Sequence, residues 1–335
     1  MTTNAEHQKW LDLTIEEALE PELPICDPHH HFWDRPNDRY FLDDLLSDLS
    51  GGHNVVSTVF IECQAMYRKG GPEEMKTLGQ TEFVQGIVAQ NASGRYGNID
   101  VAAGIVAFAN LAIGSGVERV LEAHQAVTPN LRGVRHITAF DGSPDVPRPR
   151  PFPEGLLGDA KFREGFAVLE KLGLSFDAYI YHPQLHELAD LANAFPGVTI
   201  ILNHVGGPLG VGPYASKRDQ IFEEWKDSMT AVAASPNVVV KVGGLVMPVC
   251  GFDWHERAMP TTSGSLAQAT APYYLHCIEQ FGPNRCMFES NFPVDKIACS
   301  YTVLWNAFKR LAHDFSPSEQ AALFHDTATR YYRLS

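Results

Sequence analysis

Short apolar runs rich in β-branched residues alternate along this chain with longer stretches whose apolar positions recur at helical spacing. The strand-like runs occupy residues 23–26 continuing through 27–31, then 55–63, 100–108, 131–138, 175–181, 198–203, 238–242 and 285–290. Helical period marks residues 73–92, 116–127, 160–172, 184–195, 217–234, 264–280 and 300–312. This alternation predicts an α/β protein with parallel strands. Eight strands with helices between most of them predict a (β/α)8 TIM barrel, a fold of about 250 residues that tolerates insertions.

The chain has 335 residues, and the surplus can be placed. Residues 1–22 form an arm ahead of the first strand. A proline-rich stretch, 142–159, follows strand four, and a second segment, 245–265, follows strand seven. Both insertions come after the carboxyl ends of strands, where barrel enzymes carry their active-site loops. An open doubly wound sheet would place a glycine-rich phosphate turn after strand one, and histidines stand there instead. One barrel domain, 23–335, behind a short arm is the expectation. His325-Asp326-Thr327 reads as the cap of the final helix.

Charge narrows the partners. There are 26 Lys and Arg against 40 Asp and Glu, a net of −14, which argues against nucleic acid or an anionic membrane surface. The chain has no run of 18 apolar residues, and its acidic amino terminus lacks the apolar core of a secretory signal. The six cysteines are scattered without a C-x-x-C pair, so buried thiols in a reducing, cytoplasmic setting are expected. The expected partner is a small molecule, anionic or sugar-like; apolar positions on the outer helices leave a homodimer open.

The densest chemistry is Asp27-Pro28-His29-His30-His31 at the end of strand one. Residues two apart share a face of a strand, so His29 and His31 point together and His30 points opposite. Two imidazoles on one face are half of a divalent-metal site, or else a solvated strand end. Other strand ends add Glu62, Arg135, Tyr181-His182, Asn203-His204, Lys241 and Glu289-Ser290-Asn291. Polar groups rimming one mouth mark a site, because burying them without partners is costly. His136, one residue past Arg135, is expected to point into the helix layer, and Lys241 to pair with Glu289. Trp33 is a candidate wall of the pocket.

These segments, ICDPHHHFWD, LRGVRH, FDAYIYHPQL with FPGVTIILNHVGGP, VVVKVGGL, RCMFESNFPVD and LFHDTATRYYRL, resemble the amidohydrolase superfamily. Within it the likeness is to the amidohydrolase-2 group of sugar-lactone and pyrone-dicarboxylate lactonases and related decarboxylases, and it runs from Ile25 to about Leu334. The resemblance implies a (β/α)8 barrel. It implies that His29 and His31 are the first-strand pair and His204 the sixth-strand histidine, with Arg135 a clamp for a substrate anion. Apart from the resemblance, His182, Tyr181 and Trp33 near the mouth are candidate substrate contacts, with packing the alternative for Trp33. One departure stands out. Relatives read S-D-W-P at strand eight, and this chain reads Ser290-Asn291-Phe292-Pro293. An amide neither accepts a proton near neutral pH nor binds metal as a carboxylate does. Glu62, His182 and Glu289 are the remaining candidates for the base, although Glu289 is expected to face away from the mouth unless the strand end twists or bulges.

The implied activity is hydrolysis of a small cyclic ester, a sugar lactone or a carboxylated lactone. Two mechanisms stay open. His29, His31 and His204 hold a zinc or manganese ion that activates water, or the histidines and Arg135 stabilise the oxyanion without metal. The alternatives are a lyase, a decarboxylase or hydratase acting on an unsaturated carboxylic acid, and a silent barrel that binds a metabolite.

Overall fold

A computed structural model describes residues 4–36 and 38–334. Its main sheet has eight strands: β1 (Pro24–His30), β2 (Asn54–Ile61), β3 (Asp100–Ala107), β4 (Leu131–Arg135), β5 (Ser175–Ala178), β6 (Ile200–Leu202), β7 (Val238–Val242) and β8 (Cys286–Phe288). Each pairs in parallel with the next in chain order. A bridge between His30 and Phe292, with His31 N donating to Phe292 O at 2.8 Å, joins the last strand end to the first. The result is a (β/α)8 barrel.

A helix follows every strand: α1 (Leu42–Leu49), α2 (Leu78–Asn91), α3 (Glu118–Val127), α4 (Ala160–Leu172), α5 (Leu185–Ala194), α6 (Arg218–Ala233), α7 (Ser263–Phe281) and α8 (Tyr301–Leu311). Local chemistry sets their ends. Asp159 caps α4 by accepting from Phe162 N, and Gly173 terminates it in the left-handed region that glycine adopts without a Cβ clash. Ser300 caps α8, which buries Val303, Leu304, Ala307 and Phe308 and carries Lys309 and Arg310 in its last turn. The sequence pattern missed α1. It is only eight residues long, and its buried stripe is Leu42, Leu45 and Leu49 between acidic positions.

Two apolar layers hold the barrel. Inside it, Cys26, Val59, Ile61, Val106, Ile201, Val239 and Met287 meet Ala328 and Tyr332 from the carboxyl-terminal segment. That segment plugs the amino ends of the strands, as Arg333 Nη2 donates to Arg132 O beside the start of β4. The larger layer lies between strands and helices. The final helix (Thr327–Tyr331) has no side-chain cap from Asp326, which is itself helical, so the expectation of a His-Asp-Thr cap is corrected. Ser316 caps the preceding turn instead, paired reciprocally with Glu319.

Strands four, five and six are shorter than their apolar runs suggested. Of the polar residues just past them, His204 joins the site and His136 packs into the helix layer. The arm packs through Glu16, which accepts from Ser263 N (2.8 Å) and Asn306 Nδ2 (3.0 Å). Among the described residues, no helix is long and apolar enough to cross a membrane.

Candidate active site at the carboxyl ends of the strands

The site begins with a change of phase in β1. Cys26 faces the barrel interior, and Asp27 faces outward to accept from Ser290 N (3.0 Å) and Tyr301 OH (3.0 Å). Register shifts between Asp27 and His30. Past this irregularity His29 and His31 turn inward, while His30 lies outside against Thr58 (2.9 Å) and Phe60. The paired histidines are therefore where the spacing put them, with their Nε2 atoms 3.2 Å apart.

Both are fully buried, and burial holds both rings neutral, well below the usual imidazole range. Lys241 adds to this effect at His29, and Arg135 at His31. His31 Nδ1 donates to Ile61 O at 2.7 Å, which leaves its Nε2 as a lone pair.

His204 arrives from the loop after β6 in a strained backbone, with φ of 54° followed by 45° at Val205. Such residues cost about 1–3 kcal/mol each and persist only where surroundings hold them. Trp225 Nε1 grips Val205 O at 2.7 Å. Glu289 Oε1 accepts from both His204 N (3.0 Å) and His204 Nδ1 (2.7 Å). The ring then sits edge-on to Tyr179, 5.1 Å between centroids, and 4.7 Å from His29.

Glu289 thus faces the cluster, which corrects the expectation that it points away. Met287 lies in the barrel interior, Phe288 packs outward on Phe308 and Phe324, and Glu289 continues the alternation inward. Asn291 is the residue that leaves the regular strand, with φ of 54°. Its Nδ2 donates to Asp295 Oδ1 at 2.7 Å. Asp295 is wholly buried, and that burial pushes its carboxyl well above the usual range.

Ligand-type atoms of His29, His204 and Glu289 lie within 4.8 Å of one another. The hydrogen bonding of His29 tests whether a cation suits them. Glu289 Oε2 is buried without a hydrogen bond although it lies 2.6 Å from His29 Nδ1. A neutral ring carries one proton. On Nε2, it leaves the Nδ1 lone pair facing that carboxylate oxygen; on Nδ1, it leaves His29 Nε2, which Arg135 Nη1 reaches at 3.3 Å, still facing the His31 Nε2 lone pair. Either tautomer opposes two acceptors. The donor set fits a divalent cation.

Arg135 crosses the mouth from β4. Its Nε donates to Glu62 Oε1 (3.3 Å), its Nη2 closely to Glu62 O, and its Nη1 to His29 Nε2 (3.3 Å). Glu62 is fully buried, and its other oxygen accepts from Arg150 Nη2 at 2.7 Å. With a guanidinium on each carboxylate oxygen, Glu62 is placed as an anchor for cations.

Beneath the cluster Lys241 Nζ donates to Asp177 Oδ1 (2.9 Å) and Pro28 O (2.9 Å), and lies 3.3 Å from His29 Nδ1. Its partner is Asp177 and not the expected Glu289. Inward-facing Lys241 and Asp177 come from β7 and β5, and Asp177 also accepts from Asn203 Nδ2 (3.0 Å) and Tyr332 OH (2.7 Å).

Three expected substrate contacts lie at the edge. Trp33 stacks on His31 at 5.8 Å. Tyr181 OH donates to Pro147 O (2.7 Å) on the inserted loop, so Tyr179 faces the imidazoles in its place. His182 accepts from Leu209 N at 3.2 Å beside Tyr214; burial lowers it to about 4. The structure does not bring His182 into the imidazole cluster. His136 packs among Phe108, Phe152 and Phe162, as expected for the helix layer. Sequence reasoning missed Asp177, Tyr179, Arg150 and Asp295. A charge inside the strand-like FDAYI was the available signal for Asp177; Arg150 had none.

A family model described as Amidohydrolase matches residues 26–334. The uncharacterized protein y4mH of Sinorhizobium fredii is 33% identical, over 93% of this chain and 99% of that protein. An L-fucono-1,5-lactonase of Burkholderia multivorans is 26% identical, over 92% of this chain and 95% of that protein. A B. multivorans amidohydrolase, solved with bound zinc and again with bound HEPES, superposes with a TM-score of 0.71 in both forms, at 24% and 25% identity. The superposition covers 93% of this chain and 99% of that one.

Proposed function

The chain belongs to the amidohydrolase family, and from that premise we propose that it is a lactonase, adding water to the carbonyl of a small sugar lactone to release a hydroxy acid. The observation that carries this reading is the buried convergence of His29, His204 and Glu289 within 4.8 Å. Relatives named L-fucono-1,5-lactonase and L-rhamnono-gamma-lactonase support the substrate class.

His29, His204 and Glu289 would hold a divalent cation, which when bound supplies a water of lowered pKa and polarises the ester carbonyl. The protein's own groups do the rest. The water oxygen bonds to the carbonyl carbon, and the ring C–O bond breaks. His31 Nε2, with its Nδ1–H tied to Ile61 O, is the lone pair oriented to take the water's proton. The proton taken there passes to the leaving alkoxide. Arg135 Nη1 places positive charge beside the oxyanion.

The lyase alternative draws on the amide at position 291, where the aspartate of relatives is missing although Glu289 still brings a carboxylate to the cluster. One experiment separates the readings. Purified protein, first chelated and then reloaded with zinc or manganese, is offered γ- and δ-aldonolactones and unsaturated carboxylic acids. Proton release without CO2, restored by metal and lost in His29→Ala, supports the lactonase. CO2 release supports the lyase, and turnover of neither class leaves the silent barrel.

A further inference from the structure

The proline-rich loop between β4 and α4 sends one side chain into the site. Arg150 is buried, and its guanidinium lies 4.7 Å from the Phe108 ring centroid. Nη2 donates to Glu62 Oε2 at 2.7 Å. With the Gln64 amide oxygen turned toward it, Nη1 and Nε donate to that oxygen at 3.2 and 2.6 Å.

We propose that Arg150 is a positioning residue, which sets Arg135 through the shared carboxylate of Glu62 and, through Arg135, the His29 imidazole. The argument is geometric. A guanidinium and a carboxylate left to themselves pair through two parallel hydrogen bonds. Glu62 does not make that pair with Arg135. Arg150 occupies Oε2, so Arg135 reaches only Oε1, through Nε. Arg135 Nη2 then falls to the Glu62 main-chain carbonyl, and Nη1 is left to face His29 Nε2. Without Arg150, Glu62 Oε2 is free to turn to Arg135, which withdraws Nη1 from His29.

Charge argues the same way. The trio of Arg135, Glu62 and Arg150 carries one net positive charge in a water-poor mouth, whereas Arg135 and Glu62 alone carry none. Arg150 also sits on a loop and not on a barrel strand, so the setting of the strand-four arginine depends on where that loop lies. An interaction held at the second remove from a metal or catalytic imidazole is worth about 10–100-fold in activity or affinity.

The positioning itself stands without the lactonase reading; only the kinetic consequence rests on it. The test uses metal-free full-length protein with 15N-labelled histidine and compares the wild type with Arg150→Ala and Arg150→Lys. The His29 ring signals are identified by their loss in His29→Asn. They should move in both variants, while those of remote His124 stay in place. On a lactone that the wild type turns over, kcat should fall 10–100-fold with KM within about twofold. Methylguanidine should restore part of the rate to Arg150→Ala, and lysine, which lacks the fork, should not. Arg150→Lys decides the matter if Arg150→Ala fails to fold. Unmoved His29 signals in a folded variant overturn the proposal, as does a rise in KM alone, which would make Arg150 a substrate contact. A wild type inactive on every lactone refutes the proposed function and leaves the spectroscopic test intact.

Discussion

Lys241 Nζ lies 2.9 Å from Asp177 Oδ1 with both side chains wholly out of solvent, and the same ammonium reaches the backbone and ring at the start of the histidine pair. Breaking such a pair by removing one member leaves an uncompensated buried charge, which costs about 3–5 kcal/mol. Lys241→Met should therefore lose about that much stability in urea unfolding. The double variant Lys241→Met/Asp177→Leu should lose clearly less than the sum of the two single changes. Simple additivity would contradict the pairing.

Gly244 touches the site through its missing side chain. A Cβ there would lie 2.5 Å from His204 Nδ1, and its φ of 75° disfavours any other residue. Gly244→Ala should displace His204 from Glu289 and lower kcat at least 100-fold. Metal affinity, measured by chelator competition, should fall alongside it by about 10-fold or more. Activity near that of the wild type would mean that His204 does not serve the reaction where it stands.

The Asn291–Asp295 hydrogen bond makes a prediction about pH. Asp295 is raised well above the usual carboxyl range, chiefly by burial. Its folded pKa exceeds its unfolded one, so its contribution is full below about pH 4 and is lost as pH rises through the folded value. Asn291→Asp sets a second carboxyl against it, and two such groups share one proton. The variant should lose about 2 kcal/mol more stability at pH 8 than at pH 5. Asn291→Asp/Asp295→Asn, which exchanges the two groups, should recover most of it. Thermal melts at both pH values decide this, and a uniform loss would remove the shared proton from the account.

His136 makes the opposite pH prediction. It is fully buried among aromatic rings, and burial lowers its pKa to about 3. A depressed imidazole stabilises the fold above its unfolded value near 6.5, and that contribution drains away as pH falls toward 3. His30, at about 3, and His53 and His124, at about 4, act in the same direction. Stability should fall steeply below about pH 6. His136→Phe should take up about one proton fewer on unfolding at pH 5, seen as a shallower dependence of the unfolding free energy on pH. It should also cost about 1–3 kcal/mol at pH 7, because Leu111 N loses its acceptor.

Much of the site was legible because strands translate sequence spacing into direction. The i, i+2 relation of His29 and His31 needed no partner strand, and polar residues after apolar runs marked the mouth. The same rule failed at two residues past the end of β8 for identifiable reasons. Glu289 was set facing outward, when Met287 at i−2 already fixes the inward face. Asn291 lies beyond the strand, where a left-handed backbone cancels the period. Lys241 was given the wrong acid, since choosing between Glu289 and Asp177 requires the order of β5 around the barrel.

From the chain alone came the alternation of strands and helices, the eight-fold count, the places of both insertions and the histidine pair. All of these depend on local period, on turn chemistry or on residues close in sequence. The tertiary structure alone decided who meets whom: Glu289 with His204 across 85 positions, Lys241 with Asp177 across 64, and Arg150 with Glu62 across 88. Those pairings exist because closing the sheet brings strand ends distant in sequence, and the loop after β4, onto one rim. There, each buried charge takes whichever partner the barrel's circumference sets beside it, and no local pattern encodes that circumference.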